Sequence, residues 1–219
     1  MLVKICGIKK VEDALKAIQY GADAIGLLLK TSSKNSIDED MAKSIIDKLP
    51  PFCSSVMVIT ITETEEIIKM AKHIGVTTIQ LHGDNTSEDI LNIKKELPNI
   101  KIIKTIHVIN QESIINSKKY VHSADAILLD SANQSTGAVG GTGLIHDWSI
   151  SKKIVEDYPL PVIIAGGLKP ENVAQAIEII RPYGVDVQSG VNGVDGFKDY
   201  SKMKKFINNA KSALMEEPK

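Results

Sequence analysis

The sequence has few cysteines, little net charge and no long apolar run, which argues against several specialised classes of protein. It has two cysteines, Cys6 and Cys53, which are too few for a disulfide framework. Its formal net charge of −1 at pH 7 gives no reason to expect nucleic acid or an anionic membrane as a partner. No apolar run approaches the ~20 residues of a membrane span, and the first residues do not resemble a signal peptide. We therefore expect a reduced, cytoplasmic protein with no nucleic-acid or membrane partner.

Linkers, low-complexity tracts and Asn-Gly hairpin signals are also missing from the 219 residues. Instead, short β-branched apolar runs alternate with amphipathic segments of helical period. The predicted strands are residues 2–6, 24–29, 54–59, 78–81, 101–106, 126–130, 161–165 and 185–188. The clearest predicted helices are residues 11–20, 38–49, 64–73, 87–97, 172–181 and 200–214, with Gly21, Gly75 and Gly184 as helix-ending residues. This α/β alternation predicts an all-parallel sheet, and the length favours one closed (β/α)8 barrel, a TIM barrel, over residues 1–219.

Active sites of such barrels form at the carboxyl ends of the strands, so polar residues there are candidates. Lys4 and Cys6 share one face of the first strand because strand side chains alternate between faces. The same alternation marks polar residues on other strands: Gln80, His82, Lys104, Asp130, Asp186 and Gln188. If these faces point inward, Lys4, Cys6, Gln80, Asp130 and Asp186 converge in the upper barrel interior.

Each of these residues also has a purely structural interpretation. Lys4 and Asp186 could simply neutralise each other, a lone buried cysteine is usually a small hydrophobe, and a terminal Asp130 often caps a turn. His82 fits a hydrogen-bonded structural histidine, and Cys53 is expected to be inert. The other histidines show no metal-ligand spacing, so no metal is predicted: His73, His107, His122 and His146.

Two glycine-containing loops carry a stronger signal. "AGGLKPENV" follows the seventh predicted strand, and "QSGVNGVDG" follows the eighth. Backbone N–H groups of such loops converge on anions, and phosphate sites recur at these two positions in barrels. The alternative is two ordinary turns. A third stretch, "STGAVGGTGLIHDW" at residues 135–148, is long enough for a flap over the site, and it lacks the Gly-Lys-Ser/Thr of a Walker loop.

Together these motifs resemble phosphoribosylanthranilate isomerase, an enzyme family of tryptophan biosynthesis. The similarity runs through "VKICGI", "DALKAIQYGADAIG", "QLHGD", "LLLDS", "GGTG…DW", "AGGLKPENV", "RPYGVDVQSGV" and "GFKD". The resemblance implies a (β/α)8 fold, a small phosphorylated sugar substrate and a cofactor-free Amadori rearrangement of an aminoaldose phosphate to an aminoketose phosphate. It implies Cys6 as general base and Asp130 as general acid. The implied phosphate contacts are Gly166, Gly167, Ser189 and Gly190; the implied substrate contacts are Lys4, Lys34, Asn35, Gln80, His82 and Gly141.

The acid and the base both need help from their surroundings. A free thiol has a pKa of ~8.5, so Cys6 requires a neighbouring cation such as Lys4, whose influence a pairing with Asp186 would weaken. A free carboxyl has a pKa of ~3.9, so Asp130 requires burial or a nearby anion to carry a proton near neutrality.

The chain departs from the family pattern after the second and third strands. The family's "KSPR" segment, whose arginine holds the anthranilate carboxylate, is here Lys30-Thr-Ser-Ser-Lys-Asn-Ser36, with Asn35 at the arginine position and Lys34 beside it. The third strand ends in Met57-Val-Ile-Thr-Ile61. These changes leave open a paralogue that acts on another phosphorylated sugar, or a barrel that only binds one. A metal-dependent pentose-phosphate epimerase is disfavoured because the strand ends offer no ligand cluster. The chain is expected to be a monomer or a homodimer.

Overall fold

A computed structural model describes residues 1–131 and 147–213. Eight parallel strands form a closed barrel in chain order, from β1 round to β8, which pairs with β1. The strands are β1 (Leu2–Cys6), β2 (Ala24–Leu28), β3 (Ser54–Ile59), β4 (Thr78–Leu81), β5 (Lys101–Val108), β6 (Ala126–Ser131), β7 (Val162–Ile164) and β8 (Gly184–Val187). The predicted (β/α)8 barrel is thereby confirmed.

A helix follows each strand and packs on the outside of the barrel. The helices are α1 (Val11–Gln19), α2 (Glu39–Ile46), α3 (Thr64–Ile74), α4 (Ser87–Glu96), α5 (Glu112–Lys118), α6 (Trp148–Asp157), α7 (Val173–Ile180) and α8 (Tyr200–Ser212), with a 3₁₀ turn at Ser189–Val191. Helix starts follow local chemistry: Thr86 and Asp89 form a capping box on α4, and the Asp38 side chain accepts from the Met41 N–H on α2. No helix within the described ranges is long and apolar enough to cross a membrane.

Two of the three predicted helix-ending glycines take the left-handed conformation. Gly75 has φ 73° and Gly21 has φ 103°. The prediction for Gly184 is wrong, because Gly184 is the first residue of β8 and Arg181 ends α7 with φ 52°. A Cβ on Gly184 would lie 3.2 Å from the Leu2 carbonyl oxygen, so close strand contact accounts for this glycine.

The apolar side chains divide into layers. A large core lies between the strands and the helices, and includes Ile5, Met57 and Phe206. Two small clusters fill the barrel interior, one around Cys6 and Val58 and the other around Leu128. Polar side chains share the barrel interior with these two clusters and reach its carboxyl end.

Candidate active site

A cavity of about 520 Å³ opens at the carboxyl ends of the strands. Its walls come from the loops after β2, β7 and β8, and its floor from strand-end side chains. The floor includes the predicted residues Cys6, Gln80, His82, Asp130 and Asp186. The two-residue period therefore identified most of this floor correctly.

Lys4 lies beneath the cavity, within a hydrogen-bonded layer of the barrel. Its ammonium donates to Gln80 Oε1 at 2.6 Å and to Asp186 Oδ2 at 2.9 Å. Gln80 in turn donates to Thr105 Oγ1 at 3.2 Å. The alternative interpretation of Lys4 and Asp186, mutual neutralisation in the interior, is therefore confirmed. Lys4 does not line the cavity, so a direct contact between Lys4 and substrate has no support from its position.

Cys6 ends β1 with its thiol at the cavity floor. Gly26 stands beside it on β2, and a Cβ at that position would lie 2.8 Å from the Cys6 Sγ. Burial raises the pKa of Cys6 to about 11. Lys4 and Lys198 favour the thiolate while Asp186 disfavours it, and neither cation overcomes the loss of hydration. Lys4 acts in the expected direction, but it does not bring the pKa of Cys6 towards neutrality.

Asp130 is the penultimate residue of β6 and is 7 % exposed. Burial, with a smaller contribution from Asp186, raises its pKa to about 7, although the Ser131 N–H donates to Oδ1 at 2.8 Å and opposes the shift. The sequence argument required such a rise. A carboxyl with this pKa is partly protonated at neutral pH and can donate a proton.

Two histidines lie beside Asp130. His82 Nε2 is 3.8 Å from Asp130 Oδ2, and the His82 ring meets the His107 ring edge-on with centroids 4.9 Å apart. Burial lowers the pKa of His82 to about 3 and also lowers that of His107, so both imidazoles are neutral at pH 7. The sequence argument missed His107 because β5 was predicted to end at residue 106. Ligand atoms of these three residues lie within 4.8 Å of one another, a grouping that spacing along the chain did not reveal.

The prediction that Lys104 shares the inward face is wrong. The register pairs Lys104 with Leu81, and Gln80 with Ile103, so Lys104 points out of the barrel. Its ammonium donates to the Gly83 carbonyl at 2.7 Å, and burial lowers its pKa to about 8. The inward residues of β5 include Ile103, Thr105 and His107.

The two glycine loops meet at the β7–β8 side of the cavity. Gly166, Gly167 and Ser189 line it, whereas Gly190 does not. Gly166 has φ 75°, and a Cβ there would overlap Ser131 and lie 2.8 Å from Asp130 Oδ1. Gly190 packs its backbone against the Leu168 carbonyl instead. Backbone N–H groups are thus open to an anion on this side, while α7 begins only at Val173.

Lys198 was not singled out from the sequence, yet it contacts the loop after β8 without lining the cavity. It is 7 % exposed, and its ammonium donates to the Gln188 carbonyl at 2.9 Å and to Asn192 Oδ1 at 2.7 Å. Burial lowers its pKa to about 8. The "GFKD" motif carried this residue, but nothing in its local pattern indicated a buried lysine.

The loop after β2 forms the opposite side of the cavity. Lys34 is exposed and lines the rim, whereas Asn35 is 3 % exposed and lines the interior. The sequence contains a single arginine, Arg181, which ends α7 just before β8 begins. Arg181 therefore belongs to the opposite end of the barrel, and no arginine can take the position of Asn35. Gly141 and nearly all of the stretch 135–148 lie outside the described residues.

Comparisons with known proteins agree with this geometry. The family model described as N-(5'-phosphoribosyl)anthranilate (PRA) isomerase matches residues 3–209. N-(5'-phosphoribosyl)anthranilate isomerase 2 of Methanosarcina mazei is 47% identical over 214 residues, covering 97% of this chain and 95% of that protein. The crystal structure of phosphoribosyl anthranilate isomerase from Thermotoga maritima is 37% identical, with a TM-score of 0.86, and the match covers 97% of this chain and 99% of that one.

A further solved structure carries a ligand. It is a phosphoribosyl anthranilate isomerase in complex with reduced 1-(o-carboxyphenylamino)-1-deoxyribulose 5-phosphate, with 36% identity, a TM-score of 0.84 and coverage of 97% and 100%. The match to the family model over most of the chain and the identity to several relatives lead to one conclusion: this chain belongs to the N-(5'-phosphoribosyl)anthranilate isomerase family.

Proposed function

We propose that this protein converts N-(5'-phosphoribosyl)anthranilate into 1-(2-carboxyphenylamino)-1-deoxyribulose 5-phosphate by general acid–base catalysis. One observation carries the proposal: a protonatable Asp130 and the Cys6 thiol face one cavity, between two glycine loops on one side and an apolar wall on the other. An aldose–ketose isomerisation needs one proton donor and one proton acceptor on a substrate held by its phosphate, and this cavity supplies each part.

Asp130 acts first, as the acid. It protonates the ribose ring oxygen, the bond from that oxygen to C1′ breaks, and the arylamine nitrogen shares its lone pair to form a Schiff base. Because burial raises the pKa of Asp130 to about 7, a substantial fraction of the carboxyl holds its proton at neutral pH. His82, at 3.8 Å, has a pKa lowered to about 3, so it is too weak a base to take that proton and, being neutral, it does not stabilise the ionised carboxylate.

Cys6 acts second, as the base. Its thiolate removes the proton from C2′, and the electron pair moves into the Schiff base to give an enolamine that becomes the ketone. A pKa of about 11 makes the thiolate rare in the free protein, but it also makes that thiolate a strong base. The catalytic form therefore has its single proton on Asp130 and none on Cys6. This form is less populated than the one in which Cys6 holds the proton and Asp130 is ionised.

The remaining contacts orient the substrate. The phosphate lies on the backbone of Gly166, Gly167 and Ser189, beside Gly190, which holds the two loops together. Gln80 and His82 face the sugar from the cavity floor. Leu28 and Val58 form an apolar wall for the aromatic ring, with Lys34 and Asn35 at its carboxylate.

The decisive experiment measures turnover of freshly generated phosphoribosylanthranilate by the purified protein and by Cys6→Ala. Loss of one proton-transfer group reduces turnover by typically ~10²–10⁴-fold. Cys53→Ala is the matched control, because Cys53 precedes β3 at the other end of the barrel and should leave the rate unchanged. A folded Cys6→Ala protein with near-normal turnover would refute the assigned roles.

Assembly and location belong to the same proposal. One similar solved structure, 34% identical, contains monomers generated from the dimeric isomerase of Thermotoga maritima, so a homodimer is the expected alternative to a monomer for this chain. Light scattering of the purified protein distinguishes the two by mass. The small phosphorylated substrate supports action in the cytoplasm, where such metabolites are made.

A further inference from the structure

Asn35 lines the cavity, and its side-chain oxygen is a buried hydrogen-bond acceptor without a donor. The side chain is 3 % exposed and lines the cavity. Its Oδ1 has no hydrogen-bond partner among the described residues, and its backbone N–H donates to Ser33 Oγ at 3.2 Å. A buried acceptor left without a donor is unfavourable, so the site is complete only when a ligand supplies an N–H or O–H group.

The position of Asn35 determines which part of a ligand it meets. The phosphate loops follow β7 and β8, Cys6 ends β1, and Asn35 follows β2, so the barrel order places Cys6 between the phosphate and Asn35. Leu28 and Val58 lie on the Asn35 side. On the proposed function, on which this inference rests, the aryl ring therefore lies against these apolar residues and its ortho substituent points at Asn35.

A carboxylate and a carboxamide differ in what they offer this amide. A carboxylate has acceptors alone, so it can take the Asn35 Nδ2–H but leaves Oδ1 without a donor. A primary carboxamide is complementary at both atoms, because its NH₂ donates to Oδ1 while its carbonyl accepts from Nδ2. The charge that favours a carboxylate comes from Lys34, an exposed and flexible point charge without the rigid fork of an arginine.

We infer that this isomerase also acts on phosphoribosylated arylamines that carry an ortho carboxamide, and that Asn35 is the residue that sets this tolerance. The reaction is the same internal rearrangement. Asp130 gives a proton to the ring oxygen, Cys6 takes the proton from C2′, C1′ gains one proton, and the 2′-hydroxyl loses its proton as the ketone forms, so no atom or electron is gained or lost. No further reactant is required.

The test compares two substrates freshly condensed from ribose 5-phosphate, one with anthranilate and one with 2-aminobenzamide. For the wild-type protein, kcat/KM for the carboxamide is expected within about tenfold of that for the carboxylate. Asn35→Asp keeps the shape and removes the donor. It is expected to lower kcat/KM for the carboxylate by about 10²-fold through like-charge repulsion. The carboxamide keeps its bond to Oδ1 and loses the one from Nδ2, so its kcat/KM is expected to fall by less than about tenfold.

Asn35→Arg provides the opposite change and is expected to raise the preference for the carboxylate by about 10²-fold. Lys34→Met should lower the rate for the carboxylate alone. Lys43→Met is the matched control, since Lys43 lies on α2, pairs with Asp47 and does not line the cavity. The comparison on the wild-type protein needs no variant, so it stands even if a substitution at buried Asn35 prevents folding.

The outcomes separate the two proposals. Turnover of the carboxylate with the carboxamide more than about 10³-fold slower would overturn the inference and leave the proposed function intact. No turnover of the carboxylate by a folded protein would overturn the proposed function itself. Equal losses on both substrates in Asn35→Asp would show that Asn35 does not discriminate between them, and this too would overturn the inference.

Discussion

Two neighbouring layers of polar side chains in the barrel differ in how completely their groups are hydrogen-bonded. In the middle layer, Lys4 contacts Gln80 and Asp186, and Gln80 contacts Thr105, at 2.6–3.2 Å. One level higher, Cys6, Asp130 and His82 have strongly shifted pKa values, and the Asn35 Oδ1 and His82 Nδ1 have no partner among the described residues. The middle layer, here called the partnered layer, stabilises the barrel through these contacts, although Asp186 Oδ1 has no partner among the described residues. The upper layer has more unpartnered groups and shifted pKa values, which make it reactive towards a ligand.

Asp130→Asn is expected to have the largest effect and to separate stability from activity. Turnover should fall by ~10²–10⁴-fold because the acid is lost. Stability should rise above neutral pH. The pKa of Asp130 is raised to about 7 in the fold, so the folded state binds this proton more tightly than the unfolded chain, and its stability falls as pH rises from about 4 to about 7. Asparagine removes that penalty, a gain of ~2–4 kcal/mol at pH 8.

The measurement is urea unfolding of both proteins at pH 5 and pH 8, with Asp47→Asn on exposed surface as the control. A stability difference that does not grow with pH would show that Asp130 ionises in the fold as easily as it does in water.

The thiol of Cys6 offers a second way to test the upper layer. With a pKa of about 11, its alkylation rate should rise about tenfold per pH unit between pH 7 and pH 10, or ~10³-fold in total. An ordinary thiol would level off near pH 9. The measurement is the rate of iodoacetamide labelling in a Cys53→Ser background. A plateau below pH 9 would mean that Lys4 and Lys198 outweigh burial.

Lys4→Met tests the partnered layer. Removing one member of a buried pair leaves Asp186 charged and unpartnered, which costs ~3–5 kcal/mol in the free energy of unfolding. Asp186→Asn in the same chain should recover most of that loss, because the uncompensated charge is then removed. Thermal and urea unfolding of the two single variants and the double variant measure the coupling. A single variant that costs less than ~1 kcal/mol would show that the layer contributes little to stability.

Lys198→Met should have the smallest of these effects, about a tenfold rise in KM with kcat changed less. The substitution removes two hydrogen bonds that hold the Gln188 carbonyl and Asn192 in the loop after β8, at 2.9 and 2.7 Å. Lys198→Arg should restore part of the affinity. The matched control is Lys202→Met, whose exposed ammonium donates to the Asn192 carbonyl at 3.0 Å. An equal fall in kcat at unchanged KM would contradict a role in holding the loop.

Much of the fold and part of the site followed from local pattern. The strands β1, β3 and β4 have the predicted bounds because apolar runs with glycine or proline at their ends define a buried strand. The residues Cys6, Gln80, Asp130 and Asp186 followed from the two-residue period together with the rule that barrel sites lie at strand carboxyl ends. The two glycine loops were predicted as phosphate sites because their glycines coincide with the positions after the seventh and eighth strands.

The errors arose where a neighbouring element decides the outcome. Lys104 was assigned to the inner face, but its face depends on the register with β4, which the β5 sequence alone does not specify. Gly184 was assigned as a helix end because a glycine after a periodic segment usually has that role, whereas close contact with β1 explains it here. His107 was missed because β5 continues to Val108, beyond its predicted end at residue 106. Lys198 was missed because its contacts with Gln188 and Asn192 depend on the folded loop after β8.

The sequence by itself determined the alternation of strands and helices and predicted their closure into eight units, because these depend on local period. The roles of Cys6 as base and Asp130 as acid stay predictions, which the family resemblance implies. The tertiary structure decided which charges are paired and which are not. Burial raises the pKa of both Cys6 and Asp130 and leaves an orphan acceptor on Asn35. Those properties depend on how much water and which partners surround a side chain, and only the closed barrel sets both.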